Sequence, residues 1–148
     1  MSKRRLVLLR HAKAEPPSTM DDLDRPLTAE GHADSAAAGA WLAQARYLPD
    51  LVICSPAKRA RQTWHGAALG IVEPAVRTPE TPEEQPGWAP VVQYQSGVYG
   101  GTAQDLLSLI RATSGSEVTT ILLVGHNPAI SELSLLLDPD GERDSNGL

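Results

Sequence analysis

Two arginines and two histidines, far apart along the chain, have the side chains needed to hold and attack one tetrahedral oxyanion: Arg10, His11, Arg59 and His126. Each follows an apolar run. Leu6-Val7-Leu8-Leu9 precedes Arg10-His11, Leu51-Val52-Ile53-Cys54 precedes Ser55 and then Arg59, and Thr120-Ile121-Leu122-Leu123-Val124 precedes Gly125-His126. A planar guanidinium can donate to two oxygens of a phosphoryl group at once. Two fixed cations facing one spot are uncompensated unless an anion sits between them. His11, beside Arg10, is expected below its ordinary pKa of about 6.5, because neighbouring cations oppose its protonation. Its imidazole is then neutral and nucleophilic near neutral pH. His126 can donate to a phosphoryl oxygen as negative charge shifts in the transition state. The helix expected after Ser55-Pro56 points the positive end of its dipole at the same place. With charge supplied by side chains, this chemistry does not call for Mg²⁺. Each feature taken singly is ordinary: an exposed loop start, a turn histidine, a solvated basic face over Lys58, Arg59 and Arg61. Three of them behind three apolar runs point to a site.

These groups can meet only if the strands run parallel, since ligands of open α/β sheets bind beyond the carboxyl ends of the strands. The short continuous apolar runs read as strands covered on both faces. Residues 10–26, with Pro16, Pro17 and Pro26, read as loop. Thr28 is the expected cap of a helix to about Arg46, packing through Ala33, Ala36, Ala37, Ala40, Trp41 and Ala45. Ser55 as N-cap and Pro56 at the first helical position predict a second helix to about Leu69, ended by Gly70. Val76 and Val91–Tyr94 read as short strands, with Pro74, Pro79, Pro82, Pro86 and Pro90 making the rest of that region loop. Thr102 caps a third helix bearing Leu106, Leu107, Leu109 and Ile110, and Pro128 opens a last helix through Leu137. The alternation predicts an α/β domain with a mostly parallel sheet.

The composition narrows the class of protein. A chain of 148 residues predicts one domain over 1–148, with a polar, frayed tail from about 138. Hydrophobic and charged shares of 41% and 21% exclude a wholly disordered chain. A net charge of -5 argues against a nucleic-acid partner. The single cysteine, Cys54, cannot form an internal disulfide, which fits a cytoplasmic location. No apolar run is long enough for a transmembrane helix, so no membrane partner is expected. Lys3-Arg4-Arg5 before four apolar residues is too short for a signal peptide.

Four segments in order resemble the histidine phosphatase superfamily. They are Leu6-Val7-Leu8-Leu9-Arg10-His11-Ala12, Arg25-Pro26-Leu27-Thr28-Ala29-Glu30-Gly31, Ser55-Pro56-Ala57-Lys58-Arg59-Ala60-Arg61-Gln62-Thr63 and Leu123-Val124-Gly125-His126-Asn127-Pro128. The RPLT segment and the short chain are most similar to the SixA-type phosphohistidine phosphatase branch. The resemblance implies a phosphoglycerate-mutase-like fold, a three-layer α/β/α domain. It implies His11 as the nucleophile that is transiently phosphorylated, Arg10 and Arg59 as the phosphate clamp, His126 completing the pocket, and no metal cofactor.

Larger members of that family carry a glutamate that protonates the leaving oxygen. Glu73, Glu80, Glu83 and Glu84 lie in roughly that region, and solvated loop carboxylates are the plainer reading of all four. An alkoxide needs a delivered proton, whereas imidazole, with a pKa of about 6.5, departs with little help. The expected function is therefore a metal-independent phosphatase acting on a protein-borne phosphohistidine. The alternatives are a phosphatase of a small phosphorylated metabolite and a non-catalytic phosphate-binding module. Relatives add a further strand after the last helix, so its absence would leave a sheet edge to be covered. His32 and His65 match no motif, Cys54 is expected buried, Lys13 is surface charge or an aid to anion capture, and Trp88 is a packing anchor.

Overall fold

Four short strands pair side by side in one direction. The computed structural model describes residues 5–76, 90–113 and 118–138. In it β1 (Arg5–Arg10), β2 (Leu51–Cys54), β3 (Val91–Tyr94) and β4 (Thr120–Gly125) form a parallel sheet in the order β1-β4-β2-β3. β2 and β4 lie centrally and every residue in them is buried, which is why both read as unbroken apolar runs. Alternate residues along them serve opposite faces. Val52, Cys54, Leu122 and Val124 pack with Leu42, Trp64, Ala67 and Ile71 in one core. Leu51, Ile53, Ile121 and Leu123 pack with Val98, Leu106, Ile130 and Leu133 in the other. The result is three layers, with α1 (Ala29–Gln44) and α2 (Lys58–Val76) on one face. On the other lie α3 (Ser96–Gly100), α4 (Ala103–Arg111) and α5 (Ala129–Leu137).

Thr28 caps α1 as expected, its Oγ1 accepting from Gly31 N at 3.0 Å. α2 begins at Lys58, so Ser55 is not its N-cap and Pro56 is not its first residue. Ser55 Oγ instead accepts from Ala57 N at 3.2 Å in the turn before the helix, and Ala57 O receives the first helical bonds. Thr102 and Asp105 form a capping box. α3 was not foreseen, because five residues rich in glycine carry no helical periodicity. Within the expected loop 10–26, Asp22–Asp24 form a single 3-10 turn and Ala14 bridges to Leu27.

Two expectations for the helices fail together. α2 does not end at Gly70 but continues to Val76, so Val76 is helical and not a strand residue. The buried stripe of α1 is Gly31, Ser35, Gly39 and Leu42, while Ala33, Ala37 and Trp41 face outward. The cause is close packing of the two helices. A Cβ on Gly39 would stand 1.9 Å from the Ala67 carbonyl oxygen, and one on Gly70 2.0 Å from that of Ala36. Backbone touches backbone, so Gly70 serves packing rather than termination, and tertiary contact overrides its weak helix propensity. Gly39→Val is expected to cost roughly 3 kcal/mol. Thermal unfolding should show that as a midpoint lowered by roughly 6–12 °C.

The register levels the strand ends. Arg10 pairs with Gly125, and both Leu9 and Cys54 pair with Val124. The residues that follow three separate strands therefore emerge along one edge. Among the described residues β1 and β3 are the outer strands. The tail beyond Asp138, where an added strand was considered, lies outside the described residues.

Candidate active site

His11 is held as one further rung beyond β1, its backbone N–H donating to Gly125 O at 2.9 Å. Ala12 N donates to Thr63 Oγ1 at 3.0 Å, and the Thr63 hydroxyl donates to Arg59 O at 2.7 Å. One buried threonine thus ties the His11 loop to the turn of α2 that carries Arg59. The His11 Nδ1 lies 2.8 Å from Ala12 O. A carbonyl only accepts, so Nδ1 carries the hydrogen and Nε2 keeps its lone pair. Burial pushes the His11 pKa down. The Ala12 hydrogen bond opposes that shift, and Arg59, Arg10 and Arg25 add to it.

His126 follows β4, with its ring 5.1 Å from that of His11. Its Nε2 lies 2.8 Å from Ser55 Oγ, in a serine that is fully buried. Ser55 Oγ also accepts from Ala57 N, and its second lone pair and its hydrogen suit either tautomer of His126. The other ring nitrogen, Nδ1, is buried and has no hydrogen-bond partner among the described residues. Burial, then the charges of His11 and Arg59, take the His126 pKa down to about 4. Both imidazoles are therefore neutral at pH 7.

Arg59, in the first turn of α2, has a side chain only 6% exposed. Its Nη1 donates to Asp22 O at 2.7 Å and its Nη2 to Asp22 Oδ2 at 2.9 Å. Its Nε is buried without a partner among the described residues. Asp22 also accepts from Tyr99 OH at 2.7 Å, and from Arg25 Nε and Nη2 at 3.1 and 3.0 Å. The Tyr99 hydrogen bond, reinforced by those from Arg59 and Arg25, draws the Asp22 pKa down to about 2. Tyr99 in turn stands edge-on to His126, with ring centroids 5.6 Å apart.

Of the four residues singled out in the sequence, the structure gathers His11, Arg59 and His126. Arg10 ends β1 with an exposed side chain and forms no ion pair among the described residues. It lines a cleft with His11, Lys13, Ser35, Thr63 and Asn127. Its charge reaches His11. The site also holds Asp22, Arg25, Tyr99 and Ser55 as a partner of His126. Arg25 belongs to the RPLT segment, and Ser55 follows the second strand ahead of Arg59. Asp22 sits in an acidic run that looks like solvated loop, and Tyr99 carried no signal.

Lys13, His32, His65 and Cys54 fall outside this cluster. Lys13 is spent on an exposed pairing with Glu30 at 3.4 Å. His32 and His65 are exposed. Cys54 is fully buried, and burial pushes its thiol up to about 12, so it stays protonated. Glu73 lies in the last turn of α2. Glu80, Glu83, Glu84 and Trp88 lie outside the described residues. Among the described residues no three His, Cys, Asp or Glu side chains cluster as metal ligands would. No helix there is long and apolar enough to cross a membrane.

The histidine phosphatase superfamily (branch 1) matches residues 6–87, more than half of the chain. The chain belongs to that superfamily. An uncharacterized protein of Mycobacterium tuberculosis is 36% identical over 129 residues, covering 87% of this chain and 69% of its own. The structure of a putative phosphohistidine phosphatase SixA from Agrobacterium tumefaciens superposes with a TM-score of 0.71 at 30% identity, over 95% of this chain and 86% of that one. A mycobacterial glucosyl-3-phosphoglycerate phosphatase shares the fold, with a TM-score of 0.63 at 18% identity, over 90% of this chain and 79% of that one. The three-layer architecture is thus the phosphoglycerate-mutase-like one, and the family is one of phosphatase hydrolases.

Proposed function

We propose that this chain removes a phosphoryl group from protein phosphohistidine through a covalent phosphohistidine on His11. The observation that carries the reading is the His11 tautomer. Ala12 O holds the hydrogen on Nδ1 and leaves the Nε2 lone pair for attack at phosphorus. As the new N–P bond forms, the bond to the leaving ring breaks; that ring, protonated on its far nitrogen, takes the electron pair and departs as neutral imidazole. Water then attacks the phosphorus, the bond to His11 Nε2 breaks, and inorganic phosphate and neutral His11 are released. Arg10 and Arg59 clamp the phosphoryl oxygens from different elements, and the neutral His126 ring donates as charge develops on them.

The substrate class follows from proton supply. Among the described residues the carboxylate in the site is Asp22, ionised at neutral pH with its pKa drawn down to about 2. It has no proton to give an alkoxide, whereas an imidazole protonated on its far nitrogen departs without one. Similarity to a putative phosphohistidine phosphatase at 30% identity supports the same choice. A small phosphomonoester is the second reading, favoured by the shared fold of the glucosyl-3-phosphoglycerate phosphatase. We place the activity in one cytoplasmic domain that needs no metal.

The test is turnover of a phosphohistidine peptide against a panel of phosphorylated metabolites, all with EDTA. Preference for the peptide is expected, and higher kcat/KM on an ester would move the assignment to the second reading. The pH profile gives a further check. Neutral His11 is the active form and its pKa lies below the ordinary value. Activity should therefore persist as pH falls through about 6.5 and fail only at lower pH. An acid limb of kcat/KM at or above about 6.5 would contradict a neutral His11.

A further inference from the structure

Arg59 presents an arrangement the phosphatase chemistry alone does not explain. Both terminal nitrogens of its fork are taken by one residue, Nη1 by the Asp22 backbone carbonyl and Nη2 by the Asp22 carboxylate. The remaining donor, Nε–H, is buried and unpartnered among the described residues. A guanidinium can grip an anion bidentately by its Nη1/Nη2 end or by its Nε/Nη2 side. Here the end is occupied, and one of its two acceptors is main chain, which does not swing away as a rotamer does. The side remains.

We propose that Asp22 is a positioning residue, which fastens the end of the Arg59 fork so that the Nε side meets the phosphoryl group. Three surrounding contacts fit that role. Tyr99 OH donates to the same Asp22 oxygen that accepts from Arg59, and Arg25 donates twice to the other oxygen. The carboxylate is thereby fixed from α3 and from its own loop before it touches α2. Its side chain is 48% exposed while that of Arg59 is 6% exposed. The anchoring acid therefore sits at the rim and the arginine it aims lies inside. A carboxylate serving as a removable stand-in for phosphate would compete with it, and the backbone contact argues for alignment instead.

The inference rests on the proposed phosphatase reading, and two readouts keep them apart. Inorganic phosphate is the probe, measured by direct titration and as a competitive inhibitor of ester turnover. In Asp22→Ala the dissociation constant for phosphate and KM should both rise about tenfold, with kcat changed less. Asp22→Asn keeps one acceptor oxygen and should rise less. In an Arg59→Ala background the Asp22→Ala change should add nothing, because its effect runs through that arginine. Tighter phosphate binding in either single variant would overturn the proposal in favour of a competing carboxylate. An equal loss with Arg59 already removed would also overturn it. Unchanged phosphate binding with a lowered unfolding midpoint would reduce Asp22 to a structural part. If the wild-type protein neither binds phosphate nor turns over any ester or phosphohistidine, the phosphatase reading itself fails.

Discussion

His11→Ala should lower kcat/KM by about 10⁴-fold or more, and no phosphate should be trapped on the protein after an alkaline quench. The size of the effect follows from the mechanism. A displaced nucleophile cannot be replaced by a neighbour when the other imidazole is already engaged, and His126 Nε2 is held by Ser55. Its remaining nitrogen, Nδ1, is buried. The substitution is mild for the fold, because His11 is only half-buried and its backbone bond to Gly125 survives in alanine. Unfolding curves of the two proteins should therefore agree closely while turnover collapses. Phosphate should still bind the variant through Arg59. Wild-type turnover in the variant would remove His11 from the chemistry.

Arg59→Ala should cost about 10³-fold in kcat/KM, with weakened phosphate binding accounting for part of it. The guanidinium is nearly buried, so its charge acts in a medium that screens it far less than water does. Lysine should recover only a small fraction, since a point charge on a flexible stem cannot reproduce two fixed donors. Removing the side chain also strips Asp22 of its two contacts with Arg59, one to the carboxylate and one to the backbone carbonyl. The half-exposed acid can be hydrated in their place, so the fold should survive and circular dichroism should confirm it. A variant that keeps full phosphate affinity would show that the anion is held elsewhere.

How much of this was legible in the sequence depends on the range of the interaction. Strands β2 and β4 declared themselves because burial on both faces leaves them almost wholly apolar. β1, an outer strand expected to be covered on both faces, is only partly buried and was legible from its four consecutive apolar residues. His11, Arg59 and His126 were found because each follows such a strand. The limits of α2 were not legible. Gly70 is a stop signal in isolation, and only the Ala36 carbonyl pressed against it shows why the helix continues. The packing face of α1 was misread for the same reason, since glycine and serine rather than alanine allow that approach. Asp22 and Tyr99 are 77 residues apart and meet only through the loop geometry. No periodicity or spacing encodes such a contact.

Thr63 gives the site a mechanical character. Its one hydroxyl accepts from the amide next to the nucleophile and donates to the carbonyl of the arginine. The loop and the helix start that would hold the anion are therefore coupled through one side chain, so a displacement of the first bears on the second. If these are the two halves of the proposed cradle, such coupling reduces the entropy lost when the guest arrives and the reorganisation left for the moment of reaction.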